Sequence, residues 1–365
     1  MEYISDLPQF DLGLAHALYK ALLEPIAAGW RDAKQLVVVT NGALGLLPLG
    51  LLATQPASFD SASQPVFASY RDVQWLARTH AVVSVPSASA LRTLRGLAPA
   101  SAQREPFIGF GDPVFAAEAP AADMTSAAVH AVDATRGARV GRRAAPAAAN
   151  KRSVSLGDLQ RLPDTADELQ AIAAALRVDP AKALHLGKAA NERAVLGADL
   201  TRYRIIAFAT HGLKPGDLDG LTQPALALTA PALANVEGDG LLTVEDILAL
   251  KLNADWVVLS ACNTAAGAGT GAEAVSGLGR AFFYAGSRAL LATNWAVHSQ
   301  SARELVSDVF HRQAGDPGLT RAQALRQAMV ELLDNGANKD DAGRVRFTYA
   351  HPFFWAPYSL IGDGG

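Results

Sequence analysis

Four short apolar runs punctuate the second half of the chain: Ala183–Leu186, Arg204–Gly212, Trp256–Leu259 and Ala289–Ala292. Each is too short for a typical helix and is followed by small or loop-forming residues, the pattern of a strand. Helical spacing fills the intervals and flanks: Asp164–Leu176, Glu192 towards Asp199, Thr243–Leu250 and Glu273–Ala285. Strand, loop, helix, strand is one crossover unit of a parallel sheet. Further on, Ser301–Arg312 and Thr320–Asn335 have helical periodicity, and Phe353–Ile361 reads as a final aromatic and apolar strand.

The first 115 residues show the same alternation more weakly. Leu14, Leu18, Leu22, Leu23 and Ile26 recur at helical spacing within Leu12–Ala28, where Pro25 should kink or end the helix. Leu36–Val39, Val82–Val85 and Pro106–Phe110 read as strands, and Ala88–Leu97 as a short helix capped by Ser87 or Ser89. Asn41-Gly42 marks a turn before an apolar segment, Leu44–Leu52, and Thr54–Gln64 is a polar surface loop. Two more caps are legible: Asp164 or Thr165 before Glu168, and Thr243 with Asp246 at the third helical position. Leu213–Gly240 is rich in Gly and Pro, with a strand-like stretch at Ala225–Thr229.

From 116 to 155 the periodicity disappears. Ala, Pro, Arg and Gly dominate, Phe, Trp and Tyr are absent, and no acid stands between Asp133 and Asp158. This is the composition of an exposed, disordered insertion, and Arg136–Arg152 is where trypsin should cut first. The chain as a whole carries a net charge of −3, which gives no electrostatic reason to expect a nucleic acid partner. Half of its 365 residues are hydrophobic, enough for a large core. No apolar run approaches the 18 or so residues of a membrane span, and residues 1–6 lack the features of a signal peptide. The single cysteine excludes an internal disulfide and fits a reducing compartment. A cytoplasmic location without membrane contact is the expectation.

The candidate chemistry gathers at two strand ends. His211 closes one apolar run and Cys262, the only cysteine, follows another. A lone cysteine is commonly a small buried hydrophobe, and a lone histidine after a strand is commonly a loop residue. Together they mean more. Neighbouring parallel strands put their carboxyl ends on one rim, where open parallel sheets bind ligands. A thiol needs a base or a positive neighbour to react at neutral pH, because the thiolate is the nucleophile.

The motifs around these residues resemble the CHAT domain, a caspase-like domain often found with tetratricopeptide repeats. A-T-H-G at Ala209–Gly212 and L-S-A-C-N-T at Leu259–Thr264 are similar to that family's two active-site motifs. So are D-G-L-L-T-V-E-D-I-L (Asp239–Leu248), G-L-G-R-A-F-F-Y-A-G (Gly277–Gly286) and H-P-F-F-W-A-P-Y (His351–Tyr358). L-V-V-V-T-N-G-A-L-G-L-L-P (Leu36–Pro48), F-G-D-P (Phe110–Pro113) and L-P-D-T-A-D-E-L (Leu162–Leu169) match less closely. The spacing of 51 positions (262 minus 211) is also near the interval between histidine and cysteine in caspases. In one departure, His298-Ser299 stands after N-W-A-V, where the family carries an acidic residue before a small polar one.

The resemblance implies a caspase-like three-layer α/β/α fold with a mostly parallel sheet. It implies a pseudo-protease half over 1–115, the insertion at 116–155 and a catalytic half over 156–365. It further implies a cysteine endopeptidase acting on protein substrates, with a His211–Cys262 dyad. The backbone N–H groups of Gly212 and Cys262 would hold the oxyanion. Asp217, Asp219 and Glu273 are candidates for recognising a basic substrate side chain, and a tetratricopeptide-repeat region is a candidate partner. No cofactor is implied. Gly267, Gly269 and Gly271 form neither a dinucleotide-binding nor a P-loop pattern. The eight histidines show no i, i+4 pairing, so a zinc site is not expected, and His351 in its aromatic tail reads as core. The alternative is a caspase-like interaction module with little turnover, since fold alone does not dictate activity.

Overall fold

The computed structural model describes residues 4–97, 103–117, 154–261 and 272–365. The expected insertion at 116–155 lies almost wholly outside these residues, as do Cys262 and the loop Ala265–Gly271.

In chain order the strands are β1 (Gln35–Val38), β2 (Ala81–Ser84), β3 (Glu105–Gly111), β4 (Leu184–Leu186), β5 (Tyr203–Ala209), β6 (Gly212–Leu213) and β7 (Ala225–Ala227). Then come β8 (Leu241–Thr243), β9 (Trp256–Leu259), β10 (Ala289–Thr293), β11 (Ala337–Lys339), β12 (Val345–Thr348) and β13 (Tyr358–Gly362). The longer helices are α1 (Leu12–Leu22), α2 (Ala88–Arg95), α3 (Asp164–Ala175), α4 (Val244–Ala249), α5 (Ala272–Ala285), α6 (Ser299–Gly315) and α7 (Arg321–Asn335).

Eight strands form one sheet in the order β1-β2-β13-β10-β9-β5-β3-β4. Every pairing is parallel except β10 with β13. The antiparallel joint divides the sheet into two blocks of opposite direction. β10, β9, β5, β3 and β4 end on one rim; β1, β2 and β13 end on the other. Strands from before and after the 116–155 insertion share this one sheet, with β3 between β4 and β5, and β13 between β2 and β10.

The apolar runs are continuous because both faces of the sheet are covered. Alternate side chains of the central strands enter two separate cores. Ile205, Ala207, Trp256, Val258 and Leu291 face α3, α6 and α7, together with Leu169, Val306, Phe310 and Leu325. Ile206, Phe208, Val257, Leu259 and Leu290 face the other way, towards Phe282 of α5 and Ile247 of α4. The result is a three-layer, mixed α/β protein with a mostly parallel sheet, as expected.

Several local expectations hold. Pro25 ends α1, and a 3₁₀ segment with a kink at Ile26 follows. Ser87 caps α2 by accepting from the Ala90 N–H at 3.0 Å. Thr243 and Asp246 form a capping box on α4. The cap of α3 differs: Pro163 is the N-cap residue, and Thr165 turns its hydroxyl to the Leu162 carbonyl and the Asp112 N–H instead. The strand-like stretch in Leu213–Gly240 is β7, which joins β6 and β8 at either end of that segment in a three-stranded sheet, β6-β7-β8. The β11–β12 hairpin, which the sequence pattern does not predict, turns through Asp340–Gly343, with Gly343 in the left-handed region at φ +78°.

Candidate functional site

On the five-strand rim β5 ends two residues before His211. β5 and β9 are neighbours, with Ile205 opposite Trp256 and Phe208 opposite Leu259. The contact continues one step further, where the Ser260 N–H donates to the Phe208 carbonyl at 3.0 Å. At Ala261, next to Cys262, the backbone carbonyl accepts from the Thr293 hydroxyl at the end of β10. The Ser260 hydroxyl bonds the Tyr358 hydroxyl at 2.9 Å, which ties the end of β9 to the start of β13.

His211 stands two residues beyond β5 and is 1% exposed. Its Nε2 lies 2.6 Å from the Gln160 carbonyl. A carbonyl oxygen only accepts, so Nε2 carries the hydrogen, and in the neutral ring Nδ1 holds the basic lone pair. The Phe115 ring lies 5.6 Å from the imidazole, centre to centre. The chain then leaves the main sheet through β6. The His211 carbonyl accepts from the Ala227 N–H, and the Thr210 hydroxyl donates to the Ala227 carbonyl. Because residues 211 and 227 exchange this bond, Gly212 and Leu226 form the next, non-hydrogen-bonded pair of the antiparallel ladder. The Gly212 N–H therefore points away from β7.

The segments flanking the insertion meet beside His211. Asp112 follows β3 and is held in the left-handed region at φ +52°. Its N–H donates to the Thr165 hydroxyl at 2.8 Å. Its carboxylate accepts a forked pair from Arg161, Nε at 2.8 Å and a terminal nitrogen at 2.9 Å. The motifs F-G-D-P and L-P-D-T thus touch. The glycine of the first is needed there, since a Cβ on Gly111 would come within 2.6 Å of the Leu169 side chain. Phe115 and Leu159 are buried together with Leu213, Leu218 and Ala225 in a small core beneath this region.

Asp217 and Asp219 lie between β6 and β7, on the stretch directly after His211. Asp217 caps a turn, its carboxylate accepting from the Lys214 N–H at 2.8 Å. Asp219 is exposed. Glu273 falls in the first turn of α5. The sequence reading missed Gln160, which acts through its backbone, and Phe115, Asp112 and Arg161. Two of these belong to or adjoin quoted motifs, but contacts across some fifty positions leave no mark in local periodicity.

The departure at His298 also finds a physical reason. His298 is the N-cap of α6, and its Nδ1 accepts from the Ser301 N–H at 3.2 Å. That position requires an acceptor, which a neutral imidazole supplies as a carboxylate would. Burial pushes the His298 pKa down to about 4, only partly offset by the charge of Asp164. His351 is likewise pushed down to about 4 by burial, against the effect of its bond to the Pro8 carbonyl. Among the described residues no group of three or more His, Cys, Asp or Glu side chains could hold a metal ion, and no helix is long and apolar enough to cross a membrane.

Fold and rim together define a three-layer α/β protein that gathers its polar strand ends on one side of a mostly parallel sheet. The CHAT domain model matches residues 12–363, and the chain belongs to that family. It is similar to Tetratricopeptide repeat protein 28 of Mus musculus, with 31% identity over 123 residues. The matched stretch is 34% of this chain and only 4% of that protein. In structure it is similar to a chain in the Saccharomyces cerevisiae separase–securin complex, at a TM-score of 0.43 and 11% identity, covering 80% of this chain and 14% of that one. The chain thus spans a small fraction of the length of both relatives.

Proposed function

We propose that this protein is a caspase-like cysteine endopeptidase with His211 as base and Cys262 as nucleophile. The register of β5 against β9 carries the reading. Every paired residue of β5 lies opposite the residue 51 positions later: 205 with 256, 206 with 257, 207 with 258, 208 with 259. The same 51 positions separate His211 from Cys262. If the two segments keep that offset beyond the strands, both side chains leave the same face of neighbouring strands, about 5 Å apart in backbone spacing. The Gln160 carbonyl supports the assignment of base, because it leaves Nδ1 as the basic nitrogen.

In this mechanism His211 takes the Cys262 proton, the thiolate attacks the substrate carbonyl, and the imidazolium gives the proton to the leaving amine as the C–N bond breaks; a water activated by His211 then hydrolyses the thioester, which releases the new carboxyl terminus and restores the Cys262 thiol. The oxyanion forms opposite the N–H groups of Gly212 and Cys262, the first of which is directed away from its strand partner. Asp217, Asp219 and Glu273 remain the candidates for reading a basic side chain. Tetratricopeptide repeats, present by name in the mouse relative, are the proposed partner region. One feature favours a second reading, an interaction module without turnover: the 1% exposure of His211. Substrate access then requires movement of segments packed on the imidazole, those of Phe115 and Gln160 among them. Mapping new protein N-termini in cells that express the protein or its Cys262→Ala variant tests the peptidase reading. Cleavages that need Cys262 support it; identical maps, together with peptide cleavage that survives the substitution, refute it.

A further inference from the structure

We propose that Asp112 and Arg161 are positioning residues that fix the tautomer of His211, a role that rests on His211 acting as the base. Two walls hold the imidazole: the Phe115 ring at 5.6 Å and the Gln160 carbonyl at 2.6 Å. They come from separate segments, one leading into the 116–155 insertion and one leaving it. Nothing in the chain's local connectivity keeps these segments together, because the residues between them include the whole insertion.

The Asp112–Arg161 pair does. Arg161 is the residue after Gln160, and Asp112 precedes Phe115 by three positions. A forked guanidinium–carboxylate contact fixes direction as well as distance. Asp112 is itself over-determined. Its backbone is left-handed, its N–H is bonded to Thr165 of α3, and its carboxylate is nearly buried at 10% side-chain exposure. A residue held in a sparsely populated conformation by several contacts is a mark of a functional constraint. Fastening Arg161 to this anchor sets where the Gln160 carbonyl points. That carbonyl decides which ring nitrogen of His211 carries the hydrogen.

Loosening the clasp should therefore release the tautomer before it disturbs the fold. The experiment uses the full chain labelled with ¹⁵N-histidine, with His211 assigned by its absence in His211→Ala. Two quantities are read: the ring ¹⁵N shifts of His211 above its titration, and the rate of Cys262 alkylation by iodoacetamide at pH 7. The native chain should show the Nε2–H tautomer. Arg161→Gln should show a mixture of tautomers and about a tenfold slower alkylation, the lower end of what losing an orienting partner costs a metal-bound histidine. Arg161→Lys, which keeps the charge but not the fork, should fall between.

If Arg161→Gln does not fold, Asp112→Asn serves with the same readings, since it keeps the backbone N–H bond to Thr165 and breaks the fork by replacing one of its two acceptor oxygens with an NH2. A folded variant with an unchanged His211 tautomer and unchanged alkylation overturns the proposal. Failure of the base reading shows separately, as an alkylation rate that His211→Ala leaves untouched while the tautomer still responds to Arg161.

Discussion

Two regions of the molecule bury histidines almost completely and surround them differently. At the five-strand rim His211 meets a backbone carbonyl, one phenylalanine ring and a segment pinned by an ion pair. At the far end of the chain His298 and His351 sit in a knot of rings. Phe347, Tyr349 and Phe354 surround the first; Phe67, Tyr70 and Phe354 surround the second. There each imidazole caps a helical segment as a neutral acceptor, and burial pushes its pKa down to about 4. Burial alone therefore does not single out a functional histidine. A carbonyl on Nε2 does not do so either, since the Pro8 carbonyl meets His351 as the Gln160 carbonyl meets His211. What differs is that Nδ1 of His298 and of His351 is spent on a helix cap, whereas His211 stands beside a strand that leads into the only cysteine.

The largest expected contrast is kinetic. Cys262→Ala should abolish peptide cleavage without unfolding the chain, and His211→Ala should cost on the order of 10²–10⁴-fold in rate. His351→Ala should do the reverse. It empties a packed site and should cost roughly 2–4 kcal/mol of stability, read by chemical denaturation, with activity per folded molecule kept. Equal kinetic losses in the two variants would erase the distinction.

Acid should strike the ring knot next. The unfolded chain protonates these histidines near 6.5, and the folded chain only near 4. Their contribution is complete above about pH 6.5 and is lost as pH falls through the window down to about 4, at most about 3 kcal/mol for each. His298→Asn keeps a capping oxygen and cannot titrate, so it should flatten this slope in denaturation curves taken between pH 4 and 7. A slope as steep as the parent's would place the acid sensitivity elsewhere. The smallest effect is a control outside both regions. Thr243→Ala removes the capping box of α4 and should cost about 1 kcal/mol in the same assay, leaving both histidine phenotypes unchanged.

Much of this could be read from the chain, for identifiable reasons. The central strands were legible because a sheet covered on both faces demands unbroken apolar runs such as Trp256–Leu259. Thr243 and Ser87 were legible because capping is local. Three things were not. The reversal of β13 against β10 leaves no trace in a strand's own pattern, and its register is set by packing across the sheet. The α3 cap was misread because Thr165 serves Asp112, 53 positions away, instead of its own helix. The partner of His211 was invisible because it is a carbonyl, and every residue has one. The spacing of 51 was visible, but its meaning as a strand register required the ladder.

The most direct test of the central claim is the rate at which iodoacetamide alkylates Cys262, measured from pH 5 to 9 in the native chain, the urea-unfolded chain and His211→Ala. A dyad predicts that the native thiol reacts faster than the unfolded one at neutral pH and that His211→Ala removes the advantage. A Cys262 that reacts only on unfolding, or whose native rate ignores His211, would contradict it.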